Sequence, residues 1–203
     1  MIGTVLVLPT PPALLSPRSA ADPVAELRAA CEGALANVSE PVVVVAVPTN
    51  EENLARGVTE PLGHRIARHL LRDRPFMPEL ALPWTAASLI EQDGPPGEHP
   101  RPATTLLVMA DGSARRGEKA PGHVHPDAVR FDEAIEKALR DGDAEALATL
   151  DLDQAGELWC EGAPGFRLLG EVARGRRIDT EVSYADAPYG VAWWVARWDL
   201  TDA

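Results

Sequence analysis

The sequence predicts an α/β fold in which a mainly parallel central sheet is flanked by helices and completed by a C-terminal strand pair. Three observations lead to this prediction: three short apolar runs, helical patterns between and after them, and a final segment that alternates between polar and apolar residues. With 203 residues, 45% of them apolar, the chain is long enough to form one sizeable core. We therefore expect a single domain over residues 1–203.

Three apolar, β-branched runs predict buried parallel strands. They cover Ile2 to Leu8, Pro41 to Pro48 and Thr104 to Ala110. Runs that are apolar on both faces are typical of strands covered by helices on both sides. Between the first two runs, Asp22 as N-cap and Pro23 as first helical residue predict a helix start. The apolar face of that helix comprises Val24, Leu27, Cys31 and Leu35.

A second helix is predicted over Pro61 to Asp73, and a Pro-rich stretch follows it. The predicted apolar stripe of this helix consists of Leu62, Ile66, His69 and Leu70. We interpret His64 and His69 as structural or surface residues, because a spacing of five places them poorly on one helix face. Within residues 74–102, the sequence "GPPGEHPRP" is the best candidate for a mobile loop, and we see no domain boundary there.

The second half of the chain predicts a helical layer and then two strands. A helix that ends at Gly142 carries Phe131, Ala134, Ile135, Ala138 and Leu139 at helical spacing, and three short helices follow over residues 143–175. Residues 177–186 and 189–198 alternate in polarity around "APYG", which indicates a hairpin or two neighbouring strands. Large aromatic residues on the last strand are typical of a core or a subunit interface. They are Trp193, Trp194 and Trp198.

Composition and charge argue against several classes of partner. The formal net charge is -12, the wrong sign for a nucleic-acid backbone or an anionic membrane surface. No apolar run approaches the roughly 18 residues of a membrane-spanning helix, and the first residues lack the basic start of a signal peptide. Cys31 and Cys160 form neither a disulfide framework nor a CxxC motif, so we expect two buried thiols. We expect a cytoplasmic protein, and the Ala, Gly, Pro and Arg bias is typical of a high-GC bacterial genome.

The carboxyl ends of the predicted strands indicate where a ligand should bind. In open parallel sheets, ligands bind beyond these ends, near a switch in strand order. Arg115, Arg116 and Lys119 surround the turn after the third strand, an arrangement that suits a carboxylate or phosphate. A purely structural alternative is that Asp111 pairs with one arginine and fixes the loop. The predicted ligand-binding residues, for a small anionic metabolite, are Thr10, Asn50, Asp111, Ser113, Arg115, Arg116, Lys119 and Tyr189.

Four segments together give the chain a resemblance to a known family. They are "VLVLPTPPALL", "LLVMADGSARRGEKAPG", "APGFRLLGEVA" and "YADAPYGVAWWVARW", which occur in this order over nearly the whole chain. In order and wording they resemble the class III extradiol ring-cleavage dioxygenase-like proteins, a branch of the extradiol dioxygenase and Memo superfamily. The resemblance implies an α/β fold. For active members it also implies a mononuclear Fe(II) held by two histidines and a carboxylate, with a further histidine as acid and base.

The positions of the expected histidines are occupied by other residues in this chain. Thr10 stands where the first histidine ligand is expected, and the segment after the second strand has Thr49 and Asn50 instead of a histidine. Ala114 occupies the position of the acid/base histidine. Neutral hydroxyls are poor ligands for Fe(II), and alanine cannot transfer a proton. We therefore expect no ring cleavage and no cofactor.

Two alternatives remain open for the function. The chain could be an enzyme with changed chemistry, either a hydrolase or transferase that uses Asp111 or Ser113, or a metal-dependent oxidoreductase that holds Fe(II) or another divalent metal through His123 and His125. No nucleophile elbow, Gly-x-Gly-x-x-Gly or P-loop supports a familiar mechanism. The chain could also be an assembly protein that forms a homodimer through its Trp-rich last strand. Near that strand, Tyr189 and Asp186 either orient a ligand or only shape a turn.

Overall fold

A six-stranded mixed sheet forms the centre of the protein in the computed structural model, which describes residues 1–17, 21–72, 74–93 and 103–202. The strands are β1 (Ile2–Leu8), β2 (Val42–Ala46), β3 (Met77–Leu80), β4 (Thr104–Met109), β5 (Arg177–Asp186) and β6 (Trp193–Thr201). Their order in the sheet is β3-β2-β4-β1-β6-β5. The first four are mutually parallel, whereas β6 is antiparallel to β1 and to β5. The predicted α/β fold with a C-terminal strand pair is confirmed.

Helices cover both faces of this sheet. They are α1 (Ala25–Leu35), α2 (Glu51–Ala55), α3 (Leu62–Leu71), α4 (Thr85–Asp93), α5 (Ala128–Asp141), α6 (Ala144–Ala148), α7 (Leu152–Glu157) and α8 (Ala163–Ala173), with a 3-10 helix at Pro12–Leu15. The 3-10 helix, α1 and α3 pack on one face, and α4 to α8 contribute to the core on the other. In β4, Leu106 and Val108 face one core while Leu107 and Met109 face the other, which explains why the run is apolar throughout.

The chain leaves neighbouring parallel strands toward opposite faces of the sheet. From β1 and β2 the chain continues into helices on the α1 and α3 face, whereas from β4 it continues into α5 on the opposite face. Because β4 lies between β1 and β2, its carboxyl end is a topological switch point with a crevice beside it. The fold thus supplies a crevice at the edge where the sequence predicts a binding site.

The start of α1 differs from the prediction. The helix begins at Ala25, with Val24 as its N-cap, rather than at Asp22 and Pro23. The Asp22 carboxylate instead accepts a hydrogen bond from the Val24 N–H (3.1 Å) and one from Nε of the buried Arg28 (2.8 Å). Arg28 also donates to the Leu14 carbonyl at 2.7 Å. Asp22 therefore anchors a side chain that ties α1 to the 3-10 helix, and the helix starts later than predicted.

The apolar stripe predicted for α3 is rotated in the structure. His64 is buried, and its Nε2 lies 2.9 Å from the Glu79 carbonyl, whereas His69 and Leu62 are exposed. The cause is a close approach of helix and sheet, because a Cβ added at Gly63 would lie 2.8 Å from the Cβ atoms of Ala46 and Met109. The helix turns its glycine toward the sheet, and this carries His64 inward.

The Pro-rich stretch contains two elements that the sequence did not indicate. β3 pairs with β2 at the edge of the sheet, and α4 follows it. Pro78 is tolerated in β3 because an edge strand has one side without ladder hydrogen bonds. The sequence "GPPGEHPRP" lies outside the described residues. Farther along, α5 ends as predicted with Gly142 in a left-handed conformation (φ +67°), but Ala134 is exposed and Asp132 is buried instead.

The three tryptophans of β6 belong to the core. Trp193, Trp194 and Trp198 are at most 5% exposed, and β6 is paired on both sides, so the indoles do not supply a dimer surface. A homodimer itself stays a prediction. The two cysteines are free and buried, as expected. In the described part of the chain, no helix combines the length and apolarity that crossing a bilayer requires.

Candidate functional site

Asp111 and Thr10 meet beyond the carboxyl ends of β4 and β1. The parallel register that pairs Leu8 with Met109 continues through a hydrogen bond from the Ala110 N–H to the Leu8 carbonyl (2.9 Å). Thr10 therefore lies beside Asp111: its N–H donates to Oδ1 at 2.7 Å, and its hydroxyl donates to Oδ2. The structure thus brings two of the predicted site residues into direct contact, and the partner of Asp111 is Thr10 rather than an arginine.

The environment of Asp111 raises its pKa. Burial penalises the ionised carboxylate and raises the pKa from 3.8 to about 6, although the two hydrogen bonds from Thr10 oppose this change. The nearby Glu161 carboxylate raises the pKa further. A carboxyl group with a pKa this close to neutrality can exchange a proton with a ligand under physiological conditions.

A polar chamber of about 300 Å³ opens on one side of this pair. Thr49 and Asn50, which follow β2, lie in its wall. Asn50 is the N-cap of α2, since its side chain accepts a hydrogen bond from the Asn53 N–H (3.0 Å). The other polar side chains that line the chamber are Thr10, Asn53, Glu60, Arg65, Asp111 and Glu161.

An aromatic chamber of about 620 Å³ opens on the other side. Its apolar lining includes Trp159, Tyr189, Trp193 and several prolines, and Lys119 contributes a basic group to it. The two chambers share Thr10, Leu62, Asp111 and Glu161. A cavity of several hundred Å³ with apolar walls and a few polar groups is typical of a small-molecule site.

Two cations line these chambers without internal partners. Within the described residues, neither the Lys119 ammonium in the aromatic chamber nor the Arg65 guanidinium in the polar chamber forms a side-chain hydrogen bond or an ion pair. Both cations are therefore available to a ligand.

Ser113, Arg115 and Arg116 do not line either chamber. Ser113 is fully buried, and its hydroxyl donates to the Leu158 carbonyl at 2.8 Å. Arg115 donates to the carbonyls of His123 and Glu157, both at 2.8 Å. Arg116 forms a 3.4 Å ion pair with Asp132 and lines a separate cleft of about 680 Å³, whose lining also includes Lys119. These three side chains hold the loop to the rest of the protein.

Asp132 is a buried carboxylate that is not among the predicted site residues. It is fully buried on α5 and accepts hydrogen bonds from the Ser113 N–H (2.8 Å) and from Arg116. Burial raises its pKa from 3.8 to about 7, and its two partners oppose the change. A sequence signal existed, because Asp132 shares helical spacing with Ala128, Ile135 and Leu139 and therefore lies on the apolar face of α5.

The second histidine pair is not assembled as a metal site. His123 is exposed, and Nδ1 of His125 accepts a hydrogen bond from the Asp127 N–H at 3.3 Å. In the ranges that the structure describes, no three His, Cys, Asp or Glu side chains are grouped closely enough to hold a metal ion. The positions that the resemblance assigns to histidines carry hydroxyls, an amide and a methyl group, a donor set that does not fit Fe(II). Metal binding at His123 and His125 stays an untested alternative.

Tyr189 lines the aromatic chamber beside a tight turn, and its role in orienting a ligand stays a prediction. Its hydroxyl donates to the Pro23 carbonyl at 3.4 Å, its ring centroid lies 5.7 Å from that of Trp193, and the side chain lines the aromatic chamber. The neighbouring Gly190 has φ +74°, and an added Cβ there would lie 2.7 Å from the Ala120 N atom, so this segment also forms a tight turn. Asp186 lies in the separate cleft beside Arg116.

Several lining residues of the chambers were not predicted from the sequence, among them Arg65, Trp159 and Glu161. Arg65 and Glu161 occur in helical or polar contexts that give no signal of a site. Trp159 occurs at the end of a short helical pattern, where sequence alone does not distinguish an exposed ring from a buried one.

No protein-family model matches the chain, and no curated protein sequence matches it either.

Proposed function

We propose that this protein binds a small anionic metabolite in the crevice at the carboxyl ends of β1, β2 and β4. One observation carries the proposal: the hydrogen-bonded pair of Asp111 and Thr10 stands where two chambers meet, at the switch point of the sheet. The position of the pair follows from strand order and register, so the crevice is part of the fold.

The charge of the ligand is inferred from the two cations without internal partners among the described residues. Lys119 in the aromatic chamber and Arg65 in the polar chamber are each suited to a carboxylate or phosphate. Asp111 opposes this binding while it is ionised, and its raised pKa of about 6 allows the carboxyl group to take up a proton and donate a hydrogen bond to the ligand as pH falls. The free, buried cysteines are consistent with the expected cytoplasmic location.

We also propose that the protein is a divergent relative of the class III extradiol ring-cleavage dioxygenase-like proteins and does not cleave aromatic rings. The positions expected to hold histidines line the crevice: Thr10, Thr49 and Asn50 lie in the wall of the polar chamber, and Ala114 lies in that of the aromatic chamber. Their side chains lack the donors that Fe(II) needs. The proposed relationship therefore concerns the fold and the place of the site.

Proton transfer is a second candidate function. It is favoured by the pKa of Asp111, about 6, together with the position of its carboxyl group at the junction of both chambers. In this case Asp111 would act as the acid or base. Ser113 is a poor nucleophile because its hydroxyl is buried and donates to a carbonyl.

The experiment that tests the proposal uses native mass spectrometry to compare variants after exposure to a bacterial small-molecule extract. The Arg65→Ala, Lys119→Ala double variant should bind the anion with at least tenfold lower affinity, since each charge-assisted hydrogen bond contributes about 1.5–3 kcal/mol. The control variant Arg130→Ala removes an exposed arginine of α5 that lines neither chamber, and it should bind like the wild type. Retention of an anion by the double variant, or loss by the control, would contradict the proposal.

A further inference from the structure

Trp159 has a backbone conformation that is unfavourable for a bulky residue. Its φ is +54°, in the left-handed region, and among the described residues only Arg72 is another non-glycine with positive φ. Trp159 directly follows Leu158, the C-cap of α7, in a position where glycine is usual. Strained residues of this kind persist only where the surrounding structure enforces them, and they are concentrated at functional sites.

Burial of the ring does not account for this conformation. Trp159 is 52% exposed, in contrast to the three tryptophans of β6. The exposed ring lines the aromatic chamber, which Tyr189 and Trp193 also line. The strained residue therefore belongs to the wall of a cavity rather than to the core.

Two backbone hydrogen bonds close the end of α7 around Trp159, from the Trp159 N–H to the Gly156 carbonyl (3.2 Å) and from the Cys160 N–H to the Ala155 carbonyl (2.9 Å). The loop after β4 holds this helix end in place. The Ser113 hydroxyl donates to the carbonyl of Leu158, and Arg115 donates to that of Glu157, each at 2.8 Å. These two carbonyls are at a helix end, where carbonyls lack partners within the helix. The residues that follow the helix are thereby held against the loop.

The absence of a side chain at Gly122 completes this arrangement. A Cβ added at Gly122 would lie 3.2 Å from the Trp159 ring and 2.7 Å from Cγ of Arg115. The loop backbone at Gly122 thus lies close to both the indole of Trp159 and the side chain of Arg115. Ser113, Arg115 and Gly122 together fix where the indole lies.

We propose that Trp159 is a specificity-determining residue that stacks on one face of a ring in the bound anion, and that Ser113 and Arg115 are positioning residues for it. This inference depends on the proposed function, because it requires the aromatic chamber to be the ligand site. The ring face could belong to an aromatic acid or to a sugar acid, since both stack on indole. The loop "DGSARRGEKAPG" would then contribute Lys119 to the ligand and, through Ser113 and Arg115, the placement of Trp159.

The test compares thermal stability and binding in Trp159→Gly. Glycine adopts positive φ without strain, so Tm should stay unchanged or rise by about 2–4 °C. Ligand-observed NMR with 4-fluorobenzoate and with glucuronate should show at least a tenfold loss of affinity for whichever probe the wild type binds. Trp159→Phe should restore part of that affinity. Trp84→Ala, which removes another exposed tryptophan, is the matched control and should bind normally.

The outcomes separate this inference from the proposed function. Normal binding by Trp159→Gly, or a Tm lowered by several degrees, would overturn the role of Trp159 and leave the proposed function intact. Absence of binding of both probes to the wild type would overturn the inference, whereas the proposed function is decided separately by whether the extract anion is lost in the Arg65→Ala, Lys119→Ala variant. As a further check, Arg115→Ala should weaken binding of whichever probe the wild type binds. It should also shift the Trp159 emission, measured as the fluorescence lost on adding Trp159→Phe because the chain has five tryptophans. Arg130→Ala should change neither.

Discussion

The loop after β4 has a buried carboxyl group on each of its two sides, and only one of the two faces a cavity. On the chamber side, the Asp111 carboxylate contacts Thr10 and faces two cavities. On the packed side, the Asp132 carboxylate is sealed beneath the loop by Ser113 and Arg116. Burial raises the pKa of both carboxyl groups. A raised pKa therefore identifies a buried carboxyl group, and only its access to a cavity distinguishes a candidate site from a structural anchor.

The packed side of the loop gives the largest expected effect. Replacing Asp132 with alanine leaves the buried Ser113 N–H without an acceptor and removes the partner of Arg116. We expect the free energy of unfolding to fall by about 1–3 kcal/mol, measured by urea denaturation. Asp179→Ala removes an exposed carboxylate of β5 and should change it by less than about 0.5 kcal/mol. Equal effects of the two substitutions would show that Asp132 does not anchor the loop.

The chamber side should respond to pH through Asp111. Protonation removes a negative charge from the chambers, so an anionic ligand should bind more tightly as pH falls through about 6. Asp111→Asn keeps the shape of the side chain and should abolish this dependence, as measured by calorimetric titration between about pH 5 and 8. A pH dependence that persists in Asp111→Asn would assign the effect to another group.

Stability should change in the same direction for this carboxyl group. Its folded-state pKa lies above the unfolded value, so its contribution to stability is greatest when it is protonated and is lost as pH rises from about 4 through about 6. Asp111→Asn should therefore be at least as stable as the wild type at neutral pH. A strongly destabilised Asp111→Asn variant would assign Asp111 to the packed side and remove the contrast with Asp132.

The sequence predicted the position of the crevice but not which residues face it. The apolar runs predicted the sheet, and the carboxyl ends of the strands predicted that Thr10, Asn50 and Asp111 lie near one crevice. These inferences depend on the strands being parallel, and runs that are apolar on both faces indicate parallel strands. The sequence did not reveal which side of the loop each side chain takes. That outcome depends on long-range partners, such as the Glu157 carbonyl for Arg115 and Asp132 for Arg116.

Close approach and backbone strain were equally inaccessible from the sequence. The rotation of α3 follows from contact of Gly63 with the sheet, which no periodicity in that helix records. The left-handed conformation of Trp159 closes the end of α7 through backbone hydrogen bonds, and Ser113 and Arg115 of a distant loop hold the carbonyls that precede it. Glycine would have signalled such a turn, whereas a tryptophan in that position gave no sequence signal.

The smallest expected effect concerns the outer end of the loop, where His123 and His125 belong to neither side. Nδ1 of His125 already accepts a hydrogen bond from the Asp127 N–H, and His123 is exposed. Two histidines alone hold a metal ion weakly, because a firm site needs at least a third protein ligand. We expect near-zero metal after anaerobic reconstitution with Fe(II), Mn(II) or Zn(II) and desalting, as measured by mass spectrometry. The His123→Ala, His125→Ala double variant should give the same result. About one equivalent of metal that disappears in the double variant would instead identify the loop as a metal site. The contrast between a ligand side and a packed side would then no longer describe how the loop functions.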